Sequence, residues 1–228
     1  MSGRMNKSIT VPALLTSVLA ASLALPAGPA EVIDPHAAHR QEIANAEAAH
    51  PQDALPAVTR SVVNYPVPAI RLVRDDGKSV TLIDELNDGR PVVLNFIYTT
   101  CTGICPLASH IFSQLQHHLG AERDRVHLVS ISVDPEEDTP TRLRDYAQQY
   151  SAGPSWQHYT GTVAASTAAQ RAFDVYKGDK MGHTPVTLLR TVPGGPWVRF
   201  DGFATADMLL KELHGQSQVT AAVSSSRQ

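Results

Sequence analysis

The chain has 228 residues, enough for one ordinary domain with extensions and a real core. Its 43% hydrophobic and 18% charged residues read as soluble and globular. A net charge of -3 offers no basic footprint, which argues against nucleic acid as a partner, and 2 cysteines are too few for a disulfide-stapled scaffold.

Arg4 and Lys7 precede an uncharged apolar stretch, residues 9–25, and then a segment rich in small residues. This order reads residues 1–30 as a signal peptide, cut after Ala27 or Ala30, or as an N-terminal membrane anchor. Export matters for the cysteines, because outside the cytoplasm a nearby thiol pair oxidises unless something keeps it reduced. Residues 31–57 follow as a flexible linker rich in His, Ala and Pro. Its His36, His39 and His50 are either weak metal-capturing groups or plain polar residues of a spacer.

The folded domain is expected over residues 58–215. Short apolar runs come first, broken by turn signals at 75–78 (DDGK) and 87–90 (NDGR). Residues 92–98, VVLNFIY, form a nearly continuous apolar run suited to a central strand covered on both faces. A helix is predicted over 106–119, with Leu107, Ile111, Phe112, Leu115 and Leu119 on its apolar face and Gly120 as its stop. A second buried strand spans 126–133. The next helix starts with Asp138 or Thr139 as cap and Pro140 in its first turn.

Another helix falls within 161–176, then a strand at 186–190, the turn TVPGGP, and a returning strand from Trp197. The last helix begins with Thr205 as cap, and residues 216–228 read as a disordered tail. Alternating strands and helices predict an α/β sandwich. Such folds place their sites at the C-terminal ends of strands, and Cys101 and Cys105 fill the first strand-to-helix turn.

Cys101 ends the strand and Cys105 opens the helix, where unpaired amides and the helix dipole favour a thiolate. Spacing alone leaves three readings open. A structural disulfide explains export but not position, since so short a loop constrains the unfolded chain little. A redox dithiol is the second, and the pair can close, because four residues of a helical turn span roughly 6 Å. A site for a soft metal, Cu(I) or Zn, is the third, and with only two thiolates it needs a nitrogen ligand from elsewhere.

Three segments in order, YTTCTGICP (98–106), SISVDPEEDTP (130–140) and GHTPVTLL (182–189), resemble the Sco family, also called SenC or PrrC. The resemblance spans about residues 58–215. It implies a thioredoxin-like fold, a central mixed sheet flanked by helices. It also implies a copper ion held by Cys101, Cys105 and His183, with the Asp134 carboxylate beside the metal rather than on it. Thr102 stands where many members carry proline. The implied role is an exported copper chaperone on the periplasmic side of the bacterial inner membrane. Its recipient is the subunit of cytochrome c oxidase that carries the dicopper centre. The alternative is a thiol-disulfide oxidoreductase that uses Cys101 and Cys105 as a redox pair to reduce a partner's copper-ligand cysteines. A copper donor or a thiol reductant is the further partner implied.

Pro185 supports His183 independently: a proline before the strand at 186–190, in the cis form usual for such folds, would face the cysteine turn and bring His183 to the sulfurs. Two thiolates and one imidazole suit trigonal Cu(I), and an added water or carboxylate admits Cu(II). The remaining histidines carry less. His110, His117 and His118 read as the solvated side of the long helix, and His127, His158 and His214 have no partner in the sequence. Asp134, Glu136, Glu137 and Asp138 read as a solvated helix start, or as a lure for a cationic metal donor or basic partner face.

Overall fold

Val92–Ile97 is buried at every position, which only an interior strand covered on both faces allows. The computed structural model describes residues 57–225; the segment assigned to signal or anchor, and the linker with His36, His39 and His50, lie outside them.

In chain order the strands are β1 (Thr59–Val63), β2 (Arg71–Arg74), β3 (Ser79–Thr81), β4 (Val92–Ile97), β5 (His127–Ser132), β6 (Trp156–Thr160), β7 (Val186–Arg190) and β8 (Trp197–Asp201). The helices are α1 (Leu82–Leu86), α2 (Ile104–Leu119), α3 (Pro140–Gln149), α4 (Val163–Ala172) and α5 (Ala206–Ser225). The strands form one 8-stranded sheet in the order β1-β8-β7-β4-β5-β6-β2-β3. β4, β5 and β6 run parallel, and β7 joins β4 antiparallel, so the sheet is mixed as expected.

The period of two along β4 sorts the core. Val92, Leu94 and Phe96 pack with Val129, Ile131 and Leu188 against Leu82 and Leu86 of α1 and Ala165 and Ala169 of α4. Val93 points the other way, with Leu128 and Leu189, against Phe112 and Leu115 of α2 and Leu209 of α5. A third cluster, Ile97, Tyr98, Cys105, Leu143 and Tyr146, closes the C-terminal end of β4 against α3. One of the two cysteines is therefore part of the core.

Several elements differ from the sequence reading. β6 is an added strand between α3 and α4; its WQHYT sequence interrupts the apolar run with Gln157 and His158, yet His158 is wholly buried. α2 begins two residues earlier than expected, and Leu107 lies 37% exposed while Cys105 and Ser109 take the inner face. Gly120 does end this helix, with φ 52°, a conformation that favours glycine. α5 runs to Ser225 rather than giving way to a tail at 216. Gly215 costs a helix only about 1 kcal/mol, and the glutamines and alanines after it are sound helix formers. Residues 226–228 lie outside the described residues. Among the described residues, no helix is long and apolar enough to cross a membrane.

Candidate functional site

The C-terminal end of β4 turns into α2 through Tyr98–Gly103. The N–H of Cys101 donates to the carbonyl of Tyr98 at 3.2 Å, which tightens the turn. Gly103 precedes the helix and has no side chain with which to cap it. The cap is sulfur instead: the N–H of Cys105, in the first helical turn, donates to Cys101 Sγ at 3.4 Å. An amide at a helix N-terminus has no intrahelical acceptor, and a thiolate satisfies it.

Both cysteines are free thiols in this structure, half-buried at Cys101 and fully buried at Cys105. Burial opposes ionisation of Cys101. The N–H of Cys105, the Cys105 thiol, the N–H of Gly103 and the Tyr98 hydroxyl outweigh it and hold the Cys101 thiol below its ordinary range. Burial, reinforced by the neighbouring Cys101, pushes the Cys105 thiol well up. Burial and the Cys101 sulfur likewise push Tyr98 up to about 12, so its hydroxyl stays protonated and able to donate. The two sulfurs are adjacent but unequal: the surroundings favour ionisation of Cys101 and oppose that of Cys105.

The loop after β5 braces this turn. Asp138 is 0% exposed. Its carboxylate accepts the Thr99 N–H at 3.2 Å, the Thr99 hydroxyl at 2.6 Å and the Ser132 hydroxyl. It thereby ties the cysteine turn to the end of β5. The acidic segment thus divides: Glu136 and Glu137 are exposed, while Asp134 and Asp138 are buried. Of the two cap candidates Thr139 caps α3, accepting the Arg142 N–H at 3.2 Å, which leaves Asp138 free to face inward. Asp134 receives no cysteine; its carboxylate pairs with Lys180.

Lys180 belongs to the loop between α4 and β7, which also carries His183. A 3-10 turn, Lys180–Gly182, opens with the Asp179 carboxylate accepting the Met181 N–H at 2.8 Å. The Lys180 ammonium lies 5.7 Å from the centre of the Tyr98 ring, and the Tyr98 hydroxyl donates to Met181 Sδ at 3.8 Å. The loop is thus fastened to both the acidic segment and the cysteine turn.

His183 Nε2 lies 2.9 Å from the carbonyl of Phe96, the penultimate residue of β4. A carbonyl only accepts, so Nε2 carries the proton and Nδ1 keeps a free lone pair. Burial lowers the pKa of His183, against the raising effect of the Phe96 bond, and the ring is neutral at neutral pH. His183 and Pro185 share a small cleft with Ile104 and Ala108 of α2. The ring therefore sits beside the helix turn that holds Cys105. The structure joins Cys101 to Cys105 and sets His183 on the neighbouring loop, but the three do not converge as a chelate. Among the described residues, no three His, Cys, Asp or Glu side chains cluster closely enough to hold a metal.

Sequence reasoning missed Tyr98, Thr99, Lys180 and Met181 here, and placed Asp138 at a solvated helix start. The signal for Asp138 was available: once Thr139 is the cap, the residue before it is released to point elsewhere. The other histidines stand apart from the site. His118 pairs with Asp207 and His214 with Glu122 at the surface, and His110 faces Gln114. His127 is buried with the Glu85 carbonyl, Gln157 and Tyr159 as partners.

A mixed sheet with a dithiol turn leading into a helix N-terminus defines a thioredoxin-like protein. The family model SCO1/SenC matches residues 67–216, and the chain belongs to that family. It is 37% identical over 100 residues to the SCO1 protein homolog of Bacillus subtilis, which is 43% of this chain and 51% of that protein. The chain spans about half or less of the length of the curated relatives it matches. Among solved structures it is similar to BsSco, a member of the Sco family of cytochrome c oxidase assembly proteins described as having a disulfide switch. That match has TM-score 0.58 at 27% identity, over 70% of this chain and 98% of that one. It is also similar to Bradyrhizobium japonicum ScoI with copper bound, with TM-score 0.53 at 27% identity, over 67% of this chain and 98% of that one.

Proposed function

We propose that this protein is an exported copper chaperone. Cys101 and Cys105 hold the ion as thiolates and His183 as a neutral imidazole, for delivery to the dicopper centre of cytochrome c oxidase. The observation that carries the reading is the Cys105 N–H on Cys101 Sγ beside a histidine whose Nε2 is already occupied by Phe96. That pairing readies one thiolate and leaves Nδ1 as a free donor. The copper-bound ScoI supports the choice of ion. Thiolates and imidazole suit Cu(I), and copper also ionises Cys105 on binding, because a coordinating thiol loses its proton.

Completing the site would require the His183 loop to approach the sulfurs, and Asp134 would act from beside the metal by holding that loop through Lys180. Cys101, Cys105 and His183 would then supply two thiolates and one imidazole, and exchange of those ligands would pass the ion to a recipient. The test is a Cu(I) titration of the reduced chain against a competing chelator. One copper per chain, lost in Cys101→Ser, Cys105→Ser and His183→Ala, is the expected result. Unchanged stoichiometry in those variants would sink the proposal.

The inequality of the sulfurs favours a second reading, reduction of a partner's disulfide. The Cys101 thiolate attacks one partner sulfur and displaces the other as thiolate. Cys105 then gives up its proton and attacks Cys101 Sγ, releasing the partner as a dithiol and leaving a Cys101–Cys105 disulfide. Two electrons pass to the partner, and an external thiol reductant restores the pair. Disulfide reduction that survives His183→Ala, without measurable copper affinity, would favour this reading over the first.

A further inference from the structure

A third sulfur stands at the cysteine turn. Met181 is 76% exposed, the most exposed large apolar side chain among the described residues, and it belongs to none of the core clusters. Core packing gives no reason for a methionine there. Several contacts nevertheless define its position. The Asp179 carboxylate holds its N–H, the adjacent Lys180 is anchored to Asp134, and its Sδ lies 3.8 Å from the Tyr98 hydroxyl. The carbonyl of the same Tyr98 accepts the Cys101 N–H at 3.2 Å, and its ring packs in the cluster that holds Cys105. Tyr98 thus joins the cysteine turn to a solvent-facing thioether. Met181 lies two residues before His183, on the loop that must close if His183 is to reach the sulfurs.

We propose that Met181 is a further copper ligand, a thioether at the mouth of the site that takes Cu(I) together with Cys101 and biases the site toward Cu(I) over Cu(II). This inference rests on the copper reading above and assigns the site's outermost donor. Thioether sulfur is soft and selects Cu(I). It is also neutral, so it binds and releases the ion with no proton to move, which suits a ligand used at entry and exit. Binding gives up the bond from the Tyr98 hydroxyl, and a thioether is a weak acceptor, so little is lost.

The experiment is an anaerobic Cu(I) titration of the full reduced chain against bicinchoninate, with wild type beside Met181→Leu, Met181→Cys and Cys101→Ser. X-ray absorption counts the sulfurs on copper. Met181→Leu keeps the side-chain volume at an exposed position and removes only the donor. It is expected to retain one copper per chain and to bind Cu(I) roughly 10-fold more weakly, the low end of what losing a supporting group costs a metal site. The sulfur count should fall from three to two, Cu(II) affinity should not move, and Met181→Cys should restore Cu(I) affinity. Unchanged Cu(I) affinity and sulfur count in Met181→Leu, with binding abolished in Cys101→Ser, would overturn the role of Met181 and leave the copper reading standing. Equal losses for Cu(I) and Cu(II) would overturn the bias toward Cu(I). Failure of wild type to take up Cu(I) at all would overturn both.

Discussion

The cysteine turn and the His183 loop are built in opposite ways. The turn joins β4 to α2 over a few residues, and its bonds are local: Cys101 N–H to Tyr98, and Cys105 N–H to Cys101 Sγ. The His183 loop runs from the end of α4 to β7 with one short 3-10 turn, and distant groups hold it: Lys180 to Asp134, Met181 to Tyr98, His183 to Phe96. The first region is defined by the strand end and helix start that flank it. The second is placed by a few side-chain contacts, each weak enough to exchange. If copper is the cargo, as proposed, this division sets two sulfurs in a locally bonded turn and the histidine on a loop held by exchangeable contacts.

The sharpest way to break the comparison is to remove a fixed donor. Cys101→Ser and Cys105→Ser are each expected to eliminate Cu(I) uptake, while circular dichroism shows the fold retained. Cys105 is fully buried in the cluster with Leu143 and Tyr146, so its serine also places a hydroxyl in an apolar pocket. A loss of about 1–3 kcal/mol in urea unfolding accompanies that change. Cys101→Ser, at a half-buried position, should lose much less. Equal destabilisation by the two would contradict the assignment of Cys105 to the core.

Next comes the brace. Asp138→Asn replaces a carboxylate that accepts from Thr99 and Ser132 with an amide that has one oxygen to offer and two N–H groups to satisfy. The buried, broken network should cost on the order of 2–3 kcal/mol of stability, read from urea unfolding. Cu(I) affinity should fall with it, because Thr99 sits two residues before Cys101. Asp134→Asn loses only a pairing with a half-exposed lysine and should change stability far less. Near-equal effects would mean that the site is not organised around Asp138.

These two aspartates also mark how much the sequence disclosed. The buried strand β4, the cysteines at its end, the helix stop at Gly120 and the β7–β8 hairpin were legible, because each follows from a local pattern: an apolar run, a spacing, a glycine, a turn. β6 was not, since Gln157 and His158 look polar and are buried only by what packs over them. That Cys101 and Cys105 share one turn was readable from their spacing, as was the place of His183 on the loop before Pro185 and β7. Tyr98, Lys180 and Met181 were not, because their contacts depend on separate loops meeting at one strand end. Local patterns announce the cysteine turn, and tertiary contacts alone choose the groups around it.

The pH response distinguishes the two sulfurs more finely. A free thiol titrates near about 8.5. Cys101 is held lower, so iodoacetamide should label it with a midpoint below that value, while Cys105 stays unlabelled across the same range. The linkage carries a sign. A group whose folded pKa is depressed stabilises the fold above its unfolded pKa, and that contribution is lost as pH falls through the folded value. Cys101 should therefore add stability on the alkaline side of neutrality, and Cys101→Ser should flatten the stability profile there. Labelling of Cys101 at or above the free-thiol midpoint would remove the basis for the helix-capping thiolate.

The smallest expected effect lies in the loop. Lys180→Gln removes the charge paired with Asp134 while keeping length and polarity. Lys180 is solvent-facing, so its ion pair is screened, and the change in Cu(I) affinity should stay under about fivefold. The direction is informative even so. If the pair holds the His183 loop against the site, Lys180→Gln weakens Cu(I) binding in low salt and the difference fades as ionic strength rises. If the ammonium instead repels the incoming ion, the same variant binds Cu(I) more tightly in low salt. The contacts of Lys180 with Asp134 and the Tyr98 ring favour the first outcome, since they spend its charge on two groups of the site. Tighter binding would reverse the roles of the two regions at this residue, making the loop a barrier to the fixed donors rather than their complement.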